Sequence, residues 1–87
     1  MAAGRKWTDK EREAVWKLYT KHESNEFTAK NPEIVQVAKE IDRTPASVAM
    51  KLGNFLAIDP NSMKDGLSSF SKDDERFVKD KLKKSLL

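Results

Sequence analysis

Apolar residues recur at helical spacing in separate segments of the chain, and a helix-capping signal precedes each segment. The first segment follows Thr8, which forms a TxxE capping box with Glu11 and predicts a helix at about residues 9–22. The second follows Asn31 and a proline, and it predicts a helix at about residues 32–41, because asparagine caps helices and proline suits their first position.

Two further segments carry the same kind of start signal. Thr44 and a following proline predict a third helix at about residues 45–56. Ser71, with Asp74 three residues later, predicts a fourth helix at about residues 72–85. No segment alternates as a strand would, so the predicted fold class is all-α, a small three- to four-helix bundle.

The predicted second and third helices are separated by a very short connection. Only Asp42 and Arg43 lie between the end of one and the cap of the next, which predicts a helix-turn-helix. The sequence therefore predicts a single helical domain over residues 1–87, with its core at 7–56 and a C-terminal helix at about 72–85.

Composition narrows the chemistry that this domain can perform. The 87 residues include no cysteine, which excludes disulfides and thiolate zinc sites, and one histidine, His22, which excludes most catalytic triads. We therefore expect no catalytic residue, metal or cofactor. No apolar run approaches the roughly 20 residues of a membrane span, and no signal-peptide stretch begins the chain. The predicted location is the cytoplasm, with no membrane partner.

The outward face of the third predicted helix has a composition suited to double-stranded DNA. Its small residues would allow a close approach to the major groove, where Asn54 could pair with adenine and Met50 could contact a thymine methyl group. Basic and hydroxyl side chains nearby are suited to phosphate oxygens, and a basic arm precedes the first helix. The predicted DNA-binding residues are Arg5, Lys6, Arg43, Ser47, Met50, Lys51 and Asn54.

Motifs along the chain resemble two known groups of proteins. The opening RKWT at residues 5–8 and the later RTP at 43–45 resemble a Myb/SANT-type three-helix domain. A closer resemblance is to the N-terminal domain of HNH-type putative restriction endonucleases, and it extends over nearly the whole chain. The motifs that carry it are NPEI at 31–34, RTP at 43–45, SVAMKL at 47–52, NF at 54–55, DP at 59–60, GL at 66–67 and the later helix start at Ser71 and Asp74.

This resemblance implies a DNA-targeting module placed ahead of a metal-dependent HNH nuclease domain in a parent protein. The sequence departs from the family pattern at Asp42, where glycine is frequent, so we expect some strain in the turn. HNH chemistry needs a histidine base and a metal cluster, which one histidine does not supply. The chain is therefore expected to be a non-catalytic fragment or a stand-alone relative.

Two alternatives to DNA binding stay open at this stage. The segment 23–44 carries three basic and five acidic residues, which favours a SANT-like protein-interaction module. Self-association as a homodimer through the C-terminal helix is the other alternative. It rests on apolar residues expected to be exposed there, namely Phe77, Val78, Leu82, Leu86 and Leu87.

Overall fold

The chain folds into four α-helices, and the computed structural model describes residues 6–60 and 70–85. The helices are α1 (Asp9–Lys21), α2 (Pro32–Glu40), α3 (Pro45–Ile58) and α4 (Lys72–Ser85). A single 3-10 turn, Ser24–Glu26, lies between α1 and α2. The predicted all-α bundle is confirmed, and every predicted helix boundary agrees with the structure within two residues.

Side-chain caps fix where the first three helices begin. The Thr8 hydroxyl accepts from the Glu11 amide at 3.2 Å, and the Glu11 carboxylate accepts from the Thr8 amide at 3.0 Å. Asn31 caps α2, and the Thr44 hydroxyl accepts from the Ser47 amide at 3.2 Å before α3. These bonds satisfy amides that have no partner inside the helix, so short-range sequence chemistry sets these starts.

Helix α3 is longer than predicted. It continues through Gly53 and ends at Ile58, with the Asp59 amide donating to the Phe55 carbonyl at 3.0 Å. Ile58 packs against the hydrophobic core, and this contact supports the additional residues. The cost of glycine in a helix, roughly 1 kcal/mol relative to alanine, is therefore offset by packing on both sides of it.

All four helices contribute to one hydrophobic core around Phe55. The buried apolar residues are Val15, Leu18, Ile34, Ala38, Val48, Leu52, Phe55 and Val78. The Phe55 ring lies 5.8 Å from the Trp16 ring, 6.2 Å from the Tyr19 ring and 5.9 Å from the Phe77 ring, between centroids. Such spacings are typical of favourable aromatic pairs, so α1, α3 and α4 meet in an aromatic cluster.

The apolar side of helix α4 packs against the core of the same chain. The expectation that Phe77, Val78 and Leu82 are exposed is wrong, because Val78 is fully buried and the other two pack against the core. Leu86 and Leu87 lie outside the described residues. The apolar stripe of α4 therefore no longer supports self-association through this helix. Within residues 6–60 and 70–85, no helix is long and apolar enough to cross a bilayer.

The predicted helix-turn-helix is formed by α2 and α3. Ala38 and Val48 are both buried where the two helices pack, and the Arg43 amide donates to the Ala38 carbonyl at 2.8 Å. Asp42 has a φ of 56°, in the left-handed region that glycine adopts most easily. The turn thus places an aspartate in a conformation that carries a steric cost.

Candidate functional site

The accessible side of α3 carries no charged side chain. Ala46 and Met50 are exposed, while Ser47, Ala49 and Gly53 are half-buried on or beside the same side of the helix. Met50 is 55% exposed, and it lies outward as the sequence predicts. Its neighbours are small, so its thioether chain is the largest apolar group that this side of the helix presents.

The predicted outward position of Asn54 is wrong. The residue is only 5% exposed, and its side-chain carbonyl oxygen has no hydrogen-bond partner among the described residues. Asn54 lies three positions after buried Lys51 and directly before buried Phe55. This position turns its amide toward the interior, where it cannot reach the edge of a base pair in the observed conformation.

Lys51, predicted at the edge of the outward face as a phosphate contact, is buried instead, at 8% exposure. Its ammonium group lies 2.8 Å from one carboxylate oxygen of Asp74, which is fully buried at the start of α4. The second oxygen of that carboxylate accepts a 2.8 Å hydrogen bond from Nε of buried Arg12 on α1. One carboxylate therefore joins α1, α3 and α4, and the Lys51 charge is neutralised inside the protein.

Arg43 forms a second structural link and is not free to extend toward a ligand. Its guanidinium carbon lies 4.2 Å from the ring centroid of Trp7, in a cation–π contact. One of its amino groups donates to the Glu11 carboxylate at 3.1 Å and to the Lys6 carbonyl at 2.9 Å. Arg43 is therefore not available for the phosphate contact that the sequence predicts. Its side chain instead links the segment before α1 to the turn before α3.

The remaining predicted residues differ in what they can offer. The Ser47 hydroxyl donates to the Thr44 carbonyl at 2.8 Å, so only its acceptor capacity is left for a ligand. The side chain of Lys6 is exposed, and Arg5 lies outside the described residues. Of the predicted set within residues 6–60, Met50, Ser47 and Lys6 are accessible, and their contact with DNA stays a prediction.

One cation near the turn was missed by the sequence reasoning. Lys39 is exposed in the last turn of α2, and its carbonyl accepts from the Asp42 amide at 3.3 Å. Lys6 is held close to the same turn by Arg43. Neither ammonium group has an ion-pair partner in the part of the chain that the structure describes. Lys39 could have been predicted from the sequence, because it lies only three positions before Asp42 in the turn.

His22 follows the C-terminal end of α1 and lies between two carboxylates. Its ring nitrogens are 3.3 Å from Glu26 and 3.1 Å from Glu33, and the Lys21 ammonium group is 2.8 Å from Glu33. The hydrogen bond from Lys21 lowers the pKa of Glu33. The pKa of Glu26 is lowered most by the hydrogen bond that its carboxylate accepts from the Glu23 amide, and next by the hydrogen bond from His22. Among the described residues, no group of three side chains is arranged to hold a metal ion.

The Asp74 carboxyl is held in its charged form by its partners. Burial by itself raises the pKa of Asp74, but the hydrogen bonds from Arg12 and Lys51 and the positive charge of Lys51 lower the pKa by more. The Ser71 amide also donates to this carboxylate, at 3.3 Å. The net result is a pKa below the ordinary value for aspartate.

Stability should consequently fall in acid through Asp74. A carboxyl whose pKa is lower in the folded state adds stability that is complete above its unfolded pKa of about 4 and is lost as the pH falls through the folded value. We expect the difference in unfolding free energy between the parent and Asp74→Asn to be largest near neutral pH and to shrink below about pH 4. Urea unfolding of both proteins across this range measures it, and a difference that stays constant would contradict the role of the charge.

Comparison of the chain with models of protein families, with curated proteins and with solved structures found no match.

Proposed function

We propose that the chain is a DNA-binding helix-turn-helix module in which the amino-terminal half of α3 enters the major groove. The observation that carries the proposal is the solvent-exposed position of Met50 on the second helix of the motif, among small residues that would permit close approach. In helix-turn-helix proteins, the first turns of this helix contact the base edges.

Two exposed lysines near the turn support this orientation, in a region that also carries the exposed carboxylates of Glu40 and Asp42. Exposed Lys6 and Lys39 lie near the turn that leads into α3, where phosphates beside a major groove would be reached. Because Arg43 and Lys51 are held inside the protein, the phosphate contacts are fewer than the sequence suggested. With the two contacts from Lys6 and Lys39, the logarithm of affinity should fall with the logarithm of salt concentration at a slope of about −2.

A titration of labelled duplex DNA at several salt concentrations tests the module. We expect binding at low salt, and we expect Lys39→Ala to weaken it uniformly across sequences and to reduce the salt slope by about 1. Lys83→Ala is the matched control, because it removes an exposed lysine near the far end of α4. A folded chain that binds no duplex at low salt, or equal losses from the two lysine variants, would contradict the proposal.

The resemblance to HNH-type endonucleases supports a place for this module within a larger protein. We propose that it targets a nuclease domain of that kind and is not catalytic by itself. Incubating the chain with plasmid DNA and Mg²⁺ tests the second part, and cleavage by the purified chain would contradict it.

Protein binding is the second candidate function, and the uncharged accessible side of α3 favours it. Met50 and Val35 are the exposed large hydrophobic residues in the described part of the chain, at 55% and 42% exposure. Such residues are suited to an apolar partner surface. Absence of duplex binding at low salt, for a chain shown by circular dichroism to be folded, would favour this function over DNA binding.

A further inference from the structure

We infer that α3 recognises the 5-methyl group of pyrimidines in the major groove, as it occurs in thymine and in 5-methylcytosine. This inference rests on the proposed function and specifies which chemical group of the DNA bases the same surface would recognise. It follows from which side chains of α3 are accessible and from which of their hydrogen-bonding groups are already used.

The accessible groups of α3 are mainly apolar. Met50 presents its thioether chain at 55% exposure, and Ala46 presents a methyl group one turn earlier on the same side. Gly53 has no side chain, so it leaves space beside Met50 on the next turn. A methyl group that projects into the major groove would meet an apolar surface of matching size there.

The side-chain hydrogen-bond donors of α3 that could recognise guanine are buried or already bonded within the protein. Guanine presents only acceptors in the major groove, so a side chain must donate to recognise it. On α3, Lys51 is bound to Asp74, Asn54 is 5% exposed, and the hydrogen of the Ser47 hydroxyl is used by the Thr44 carbonyl. The accessible part of α3 therefore lacks a side-chain donor for guanine. It offers the acceptor oxygen of Ser47 and the apolar surface of Met50, and the pyrimidine methyl group is the base feature that Met50 fits.

The experiment uses four duplexes of equal length, with alternating A–T, A–U, G–C and G–5-methylcytosine sequences, titrated at low salt by fluorescence anisotropy. Deoxyuracil lacks only the thymine methyl group, and 5-methylcytosine adds only the same group to cytosine. We expect the methylated member of at least one pair to bind more tightly, by about fourfold for each methyl group that is buried. A preference within only one pair identifies the source of the methyl group.

Variants assign the preference to Met50. Met50→Ala should remove most of it, while Val35→Ala, which truncates an exposed apolar residue on α2, should retain it. A preference that came only from the effect of the base changes on duplex shape would be retained in both variants.

Each alternative outcome has a distinct meaning. Equal binding within both pairs would overturn methyl recognition and leave the proposed DNA binding intact. A methyl preference that persists in Met50→Ala would overturn the assignment to this side of α3. Failure of every duplex to bind would overturn the proposed function, and this inference with it.

Discussion

Replacing Asp74 with alanine is expected to lower the free energy of unfolding by about 3–5 kcal/mol. The substitution leaves the buried Lys51 ammonium group without the carboxylate 2.8 Å away, and it leaves buried Arg12 with only its ion pair to the exposed carboxylate of Asp9. Unpaired charge in a protein interior is costly, because neither water nor an opposite charge compensates for it. Chemical unfolding at neutral pH, followed by circular dichroism, measures the loss.

The adjacent residue provides a matched control. The side chain of Asp73 is 62% exposed on the same helix turn and pairs with Arg76, three residues later on the surface. Asp73→Ala should therefore change stability by no more than about 0.5 kcal/mol. Similar losses from the two alanine variants would show that the buried position of Asp74 is not what makes it important.

Replacing Phe55 with alanine should have an effect of the same size, about 3–5 kcal/mol. The Phe55 side chain is fully buried, and its ring contacts the Trp16, Tyr19 and Phe77 rings. Its removal leaves a cavity where α1, α3 and α4 meet, since three fixed rings cannot collapse into the space. Urea unfolding measures the change.

Met50→Ala is the control for this second substitution. Met50 lies on the same helix but is 55% exposed, so its truncation should alter stability by no more than about 0.5 kcal/mol. A loss of several kcal/mol from Met50→Ala would show that this side chain supports the fold. It would then be unsuited to separate binding from folding in the DNA experiments.

Local chemistry was sufficient to predict the helices. Thr8, Asn31 and Thr44 each cap the helix that the sequence assigned to them, because a cap depends on residues two or three positions away. The apolar stripes likewise depend on spacing within one helix. Fold class and helix starts could therefore be obtained from short windows of sequence, whereas the end of α3 depends on the packing of Ile58 against the core.

The candidate site was harder to predict, because it depends on contacts between distant residues. Lys51 is neutralised by Asp74, which is 23 positions away, and no short window contains both. A helical projection gave a partial signal, since Lys51 follows Val48 by three positions and precedes Phe55 by four, close to the buried stripe. A lysine at the edge of such a stripe can be solvated or paired, and only the tertiary structure distinguishes the two.

Helix α3 is held at both flanks before any ligand arrives. Asp74 fixes it through Lys51, and Arg43 fixes the preceding turn through Trp7 and Glu11. A surface that is already rigid loses little conformational entropy when it associates with a partner. In the proposed complex with DNA, a modest number of contacts would then suffice for measurable affinity, and Arg43 and Lys51 would contribute by keeping the helix in place without touching the ligand.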